Sequence, residues 1–198
     1  MGDLERAWQV AGQRQLFEEI HRFKVLYEQI LSEVANRLMA SEVAKGLPGF
    51  RGCKVSKGNE LERCPYQVLD VGRDFDSARG LNIRVLNWWG RGAFVFLFAG
   101  TANPLYTRIW EERVLGTLKS NGYRWADADS LWHYKQILDD GNHRALSPAI
   151  RLKVNSDAGR FFQVFCPVKL EGEKSDAEAA LFECVYNLIS LLQLGTLD

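Results

Sequence analysis

The sequence predicts an α+β domain, a mainly antiparallel sheet of five to six strands packed by three main helices. Three observations lead there. An apolar stripe at spacings of three and four runs through residues 13–43. Residues 65–170 hold short runs rich in valine, isoleucine and aromatics, punctuated by glycine. A second broad stripe, carried by Leu181, Val185, Leu188, Ile189 and Leu192, closes the chain. The order is helices flanking and interrupting strands, with no internal repeat, so 1–198 reads as a single domain.

Each element has its own signal. Leu16, Ile20, Phe23, Tyr27, Ile30, Val34 and Leu38 place one face along a helix over 13–43, which Gly46 and Pro48 end. At 1.5 Å per residue that helix is ~45 Å long, more than a compact domain needs. It is expected to break near Ala35–Asn36, to project, or to pair with a second copy. Residues 45–64, rich in glycine and charge, read as a loop. "YQVLDV" is the first strand, and "LNIRVLNWW" with "AFVFLFAG" forms a hairpin about Gly90, Arg91 and Gly92. A helix follows over 103–121, capped by Asn103, with Pro104 at its start and Gly122 at its exit. "SLWHYKQI" (130–137) reads as a strand, and "AIRLKVN" with "RFFQVFCPVKL" as a second hairpin across "SDAG". The last helix spans 175–194, with Ser175 and Glu178 in a capping-box pattern.

Composition narrows the function classes. Lys and Arg total 25, matching 25 Asp and Glu, so the basic footprint of a non-specific nucleic-acid binder is missing. The opening "MGDLERAWQVAGQRQ" is polar and charged, and the longest apolar run, "ALFECVYNLISLLQLG", contains Glu183 and is short for a bilayer span. Cys53, Cys64, Cys166 and Cys184 form no C-x-x-C pair. These features lead to a cytoplasmic protein with reduced thiols and no membrane contact.

The paired tryptophans Trp88 and Trp89 raise the sharpest question about a site. Neighbours on a strand point to opposite faces, so the two rings do not make one stacking platform. With Gly90 and Arg91 as a two-residue turn, Trp88 lies opposite Ala93, Leu86 opposite Val95, Arg84 opposite Leu97 and Asn82 opposite Ala99. The other face then collects Ile83, Val85, Trp89, Phe94, Phe96 and Phe98 under a helix. A three-residue turn shifts this pairing by one. Arg84 within a covered strand needs a partner. A turn near Ser77–Gly80 brings Asp74 or Asp76 opposite it, with Asp70 on the face of Trp88. The candidate ligand pocket is therefore Asp70, Asp74, Asp76, Arg84 and Trp88, weighed against a structural ion pair or a solvated edge.

Other constellations carry less. Asp70, Asp74 and Asp76 are oxygen ligands suited to a divalent cation, but turn formation accounts for them as well. Cys53 and Cys64 match no zinc spacing, and His21, His133 and His143 are scattered, so neither a metal nor a cofactor is expected. A Cys53 or Cys64 nucleophile with His133 lacks any local signature. "KVSKGNE" lacks a phosphate-cradling pattern, and Arg51, Lys54 and Lys57 read as a solvated lip.

The block "FRGCKVSKGNELERCPYQVLDVGRDFDSARGLNIRVLNWWGRGAFVFLFAG", through "SKG", "PYQVLD", "RDFD", "IR" and "WWG", resembles an uncharacterised family of small bacterial cytosolic proteins. The resemblance implies a stand-alone bacterial protein and carries no activity. The expected function is a non-enzymatic binding or protein-interaction module, self-associating through its N-terminal helix, with a small ligand or another protein as further partner. The alternative is a small metal-assisted hydrolase, with the aspartate cluster holding the metal and Arg84 anchoring an anion.

Overall fold

A computed structural model of the chain describes residues 2–156 and 161–193. Helix α1 (Asp3–Ala11) leads into the long α2 (Arg14–Ala40) and the single turn α3 (Glu42–Lys45). A four-strand meander follows: β1 (Cys53–Leu61), β2 (Cys64–Val71), β3 (Leu81–Trp88) and β4 (Gly92–Gly100). Then come α4 (Tyr106–Ile109), α5 (Glu112–Ser120), β5 (Arg124–Ala126), α6 (Tyr134–Leu138) and β6 (His143–Ala145). The described chain closes with α7 (Ala149–Ser156), β7 (Phe161–Val168) and α8 (Lys174–Gln193). The sheet has seven strands in the order β1-β2-β3-β4-β7-β5-β6, with every pairing antiparallel. The α+β class is as the sequence predicts, with one or two strands more.

The core divides by strand alternation. Ile83, Val85, Val95, Leu97 and Val164 face α2 and α8, which contribute Leu31, Val34, Leu38, Leu181, Val185 and Ile189. Burying a side chain of this size is worth roughly 1.5–3 kcal/mol, so this seam is the main source of stability. The reverse face gathers Leu86, Trp88, Phe94, Phe96 and Phe165 beneath Tyr134 and Ile137 of α6.

This reverses one expectation. Trp88 pairs with Gly92, Leu86 with Phe94, Arg84 with Phe96 and Asn82 with Phe98. The turn spans Trp89–Gly90–Arg91, with Gly90 at φ +79° and Gly92 at φ +114°. One extra turn residue moves every cross-strand pair by one. The aromatic face is therefore the Arg84 face, and smaller β-branched residues meet the long helices. Trp88 and Trp89 do point to opposite faces: Trp88 is buried in the aromatic cluster, while the Trp89 ring meets Phe23 of α2 edge-on at 5.0 Å.

Other segments differ for readable reasons. The expected loop at 45–64 contains β1, a sheet edge whose Lys54, Lys57 and Glu60 are the charges such edges carry. Its hairpin to β2 turns on Glu62 and Arg63, both at positive φ (48° and 64°), without the glycine that signals such turns. Residues 130–137 are no strand: Leu131, Tyr134 and Ile137 are buried at spacings of three, and α6 forms. Residues 149–155 are helical too, since Ile150 and Val154 are buried four apart while Leu152 is 75% exposed. β-branched composition had suggested a strand; the burial period is a helix's. Most of the "SDAG" turn and residue 194 lie outside the described residues.

The helix expected over 103–121 is two helices, α4 and α5, separated at Trp110–Glu111, where Glu111 is extended at ψ 138°. Asn103 does cap as expected, its Oδ1 accepting from the Leu105 N–H at 2.9 Å, and Gly122 exits at φ +77°. The α2 helix ends near its expected place, with α1 as an unforeseen addition. The start of α8 is capped by Asp176, whose carboxylate accepts from the Glu173 N–H at 2.8 Å, in place of a Ser175–Glu178 box.

Candidate functional site

Asp70 on β2 and Arg84 on β3 are direct cross-strand partners. Their side chains form a two-pronged pair: Arg84 Nε donates to Asp70 Oδ1 at 2.7 Å and Nη2 to Oδ2 at 2.8 Å. Planar guanidinium and carboxylate forks match in this geometry. Arg84 Nη1 donates to the Tyr134 hydroxyl at 2.6 Å, and Asn82 Nδ2 donates to Asp70 Oδ1 at 3.0 Å. The Asn82 carbonyl accepts from the Arg73 N–H at 3.2 Å. Both charged side chains are largely buried, 13% and 8% exposed.

Aromatic rings close the top. Trp132 lies 4.3 Å from the guanidinium carbon and Phe75 5.7 Å, and the two rings meet at 5.3 Å. The Tyr134 ring is held edge-on by Phe96 at 5.0 Å. Burial pushes the Tyr134 phenol up to about 12, partly offset by Arg84. Burial also works against the Arg84 charge, but Asp70 and Tyr134 outweigh it and the guanidinium's pKa is raised. The hollow left between Phe75, Arg84, Phe98, Trp132 and Gln163 is about 10 Å³, the size of one water.

Of the five residues singled out, the structure brings only Asp70 and Arg84 together. Asp74 accepts from the Asp76 N–H at 3.2 Å and reaches Arg51 at 3.4 Å. Asp76 accepts from the Ala78 and Arg79 N–H groups at 3.0 and 2.7 Å. Both are turn-forming aspartates, and the carboxylate opposite Arg84 is Asp70 rather than either of them. Trp88 shares the Arg84 face but stands four residues along β3, ~13 Å away. Its indole N–H donates to the Leu61 carbonyl at 3.0 Å, and Arg91 lies 4.5 Å over its ring. Among the described residues, no three His, Cys, Asp or Glu side chains converge as a metal site. The Asp70–Arg84 pair is mutually hydrogen-bonded and roofed by Trp132 and Phe75.

Tyr134, Trp132 and Phe75 are the members that sequence reading missed. The signal for Tyr134 was the spacing Leu131–Tyr134–Ile137, which places its ring on the buried face of a helix.

A second region stands out for the opposite reason. α1 has no buried residue, and burial on α2 starts at Tyr27. The stripe that packs on the sheet at Tyr27, Ile30 and Val34 continues outward as Phe23, Ile20 and Leu16. Among the described residues, eight of the twelve large exposed apolar side chains lie between Leu4 and Leu26, with Leu4 and Trp8 each 69% exposed. At the root of this arm, a groove of about 380 Å³ opens between Phe23, Tyr27 and Ile30 on one wall and Val168, Leu170 and Ala177 on the other. The Tyr27 hydroxyl is buried there without a hydrogen-bond partner among the described residues, and burial holds its phenol far above the usual range.

No helix among the described residues is long and apolar enough to cross a membrane. Comparison with family models, with curated proteins and with solved structures finds no match.

Proposed function

We propose that this protein is a non-enzymatic, cytosolic interaction module that self-associates through its N-terminal helical arm. The observation that carries this reading is the uncovered apolar stripe over residues 4–26, continuous with a stripe that elsewhere packs as core. Eight half-exposed large side chains at roughly 100 Å² each amount to about 800 Å², one partner's share of a standard interface. The arm's charges balance: Asp3, Glu5, Glu18 and Glu19 against Arg6, Arg14, Arg22 and Lys24. Asp3 and Glu5 stand toward one end of this segment and Arg22 and Lys24 toward the other, an order that opposes unlike signs when two copies run antiparallel about a two-fold axis. The unbridged thiols at Cys53, Cys64, Cys166 and Cys184 suit a reducing compartment. The closed Asp70–Arg84 pair supports a structural role there in preference to a hydrolytic one.

Sedimentation equilibrium over a roughly hundredfold concentration range tests the reading. The mass rises from 22.5 kDa toward twice that value in the native chain. It stays at 22.5 kDa in a Trp8→Glu, Phe17→Glu variant of unchanged circular dichroism. A native chain that is monomeric throughout overturns the reading, as does a dimer that the variant leaves intact.

A further inference from the structure

Cys166 and Cys184 are far apart in sequence but adjacent in space. On β7, Phe162, Val164 and Cys166 alternate toward the long helices. On α8, Cys184 follows Leu181 by three positions and lies at the margin of the face that covers them. The two thiols line one groove and influence each other's ionisation. A third group joins them: Gly122 turns the chain out of α5, and the Tyr123 hydroxyl lies 3.7 Å from Cys184 Sγ. All three side chains line a groove of about 370 Å³, with Asn121 and Asn187 also on its walls. Cys166 is buried, whereas Cys184 is partly exposed.

We propose that Cys166 and Cys184 are a redox-active dithiol, in which a small hydroperoxide oxidises Cys184 and Cys166 resolves the product as a disulfide. The roles follow from position. Cys184 is the more exposed of the two thiols, and it shares a hydrogen bond with the Tyr123 hydroxyl. The Cys166 thiol and the Tyr123 hydroxyl favour the Cys184 thiolate and lower its pKa against the pull of burial. Cys166, donating to Cys184 and buried, is held protonated. Thiolate character with access to solvent is what peroxide chemistry selects.

The chemistry balances in two steps. The Cys184 thiolate attacks the terminal oxygen of ROOH. The O–O bond breaks, sulfur is oxidised to the sulfenic acid, and the alkoxide takes a proton and leaves as ROH. Cys166 sulfur then attacks Cys184 sulfur, the S–O bond breaks, and the hydroxide takes the Cys166 proton to leave as water. An external dithiol restores both thiols by exchange. The other two cysteines lack this arrangement: burial pushes Cys53 up to about 11, and Cys64, on β2, meets Arg91 of the β3–β4 turn.

The test treats the full chain with hydrogen peroxide and follows it by intact mass and by peptide mapping without reductant. The native chain is expected to lose about 2 Da, mapped to a Cys166–Cys184 bridge and reversed by dithiothreitol. Cys166→Ser is expected to halt at a Cys184 sulfenic acid trapped by dimedone. Cys184→Ser is expected to slow thiol oxidation by about tenfold or more. A bridge to Cys53 or Cys64 overturns the proposal, as does oxidation of Cys184 past the sulfenic acid without a bridge in the native chain. Reactivity no greater than that of an unstructured cysteine peptide overturns it too. Mapping of the native chain alone decides if either serine variant fails to fold.

Discussion

Asp70 and Arg84 occupy the same rung of the β2–β3 ladder and close a two-pronged pair at 2.7 and 2.8 Å. Strand alternation points both side chains into the aromatic face, where water is nearly excluded. The pair costs desolvation energy and recovers it through its own two hydrogen bonds and three further partners, Asn82, Tyr134 and the Trp132 ring. A network of this kind is tolerant of joint replacement and intolerant of single deletion.

That asymmetry is measurable. Arg84→Met is expected to lose about 3–5 kcal/mol, because Asp70 is left charged and buried. Asp70→Leu combined with Arg84→Met is expected to recover most of the loss, since well-packed apolar replacements of buried pairs are often near neutral. Urea unfolding of the two single variants, the double variant and the native chain gives the coupling directly. Additive losses would show that the two side chains do not act as a unit.

Alkaline pH probes the same cluster through Tyr134. Its folded phenol ionises near 12, above the usual 10.0, because burial opposes the phenolate. The folded state therefore holds this proton more tightly than the unfolded chain. The associated stability is fully present below about pH 10 and is lost as pH rises toward 12, at on the order of 2 kcal/mol. Tyr134→Phe removes this dependence, but also costs about 1.5–3 kcal/mol at neutral pH by deleting a hydrogen bond to a charged group. Unfolding curves at several alkaline pH values for both chains check the sign.

The β1–β2 turn offers a gain. Glu62 and Arg63 hold left-handed backbone that glycine and asparagine adopt with less strain. Replacing the two by Asn-Gly is expected to stabilise the fold by about 1 kcal/mol, roughly 2–4 °C in Tm. The exposed Lys135–Glu62 pair at 3.9 Å forfeits little in exchange. An unchanged or lower Tm in calorimetry would contradict the strain argument.

Thiol alkylation separates the cysteines. The rate at Cys184 is expected to rise and level off at lower pH than that of an ordinary thiol, because only the thiolate reacts and its neighbours favour it. Cys53, pushed up to about 11 by burial, is expected to be slow throughout that range. Iodoacetamide labelling read by peptide mapping distinguishes the two profiles; coincident curves would remove the special environment assigned to Cys184.

Sequence periodicity carried the long helices well. The stripe from Leu16 to Leu38 and the stripe from Leu181 to Leu192 are strong because each repeats over many turns. It failed where only two or three residues decide. A single extra residue in the Trp89–Arg91 turn put Arg84 beside Phe96 instead of Leu97 and exchanged the two faces of the sheet. Ile150 and Val154 carry strand-favouring side chains, yet tertiary burial four residues apart set a helix. Arg84's need for a carboxylate was legible from its burial. Which carboxylate depended on register, and Tyr134 came from a helix whose one-turn length gives little periodic signal. The Cys166–Cys184 contact joins a strand to a helix and has no local trace at all.

The two rims of the sheet limit how copies can meet. One outer strand, β1, carries lysines and glutamate along its length, and the other, β6, has only three residues. Neither is a template on which a neighbouring molecule can extend the ladder, so open-ended fibre growth by strand addition is disfavoured. The same edges leave self-association through the N-terminal arm, as proposed, free of competition from ladder extension.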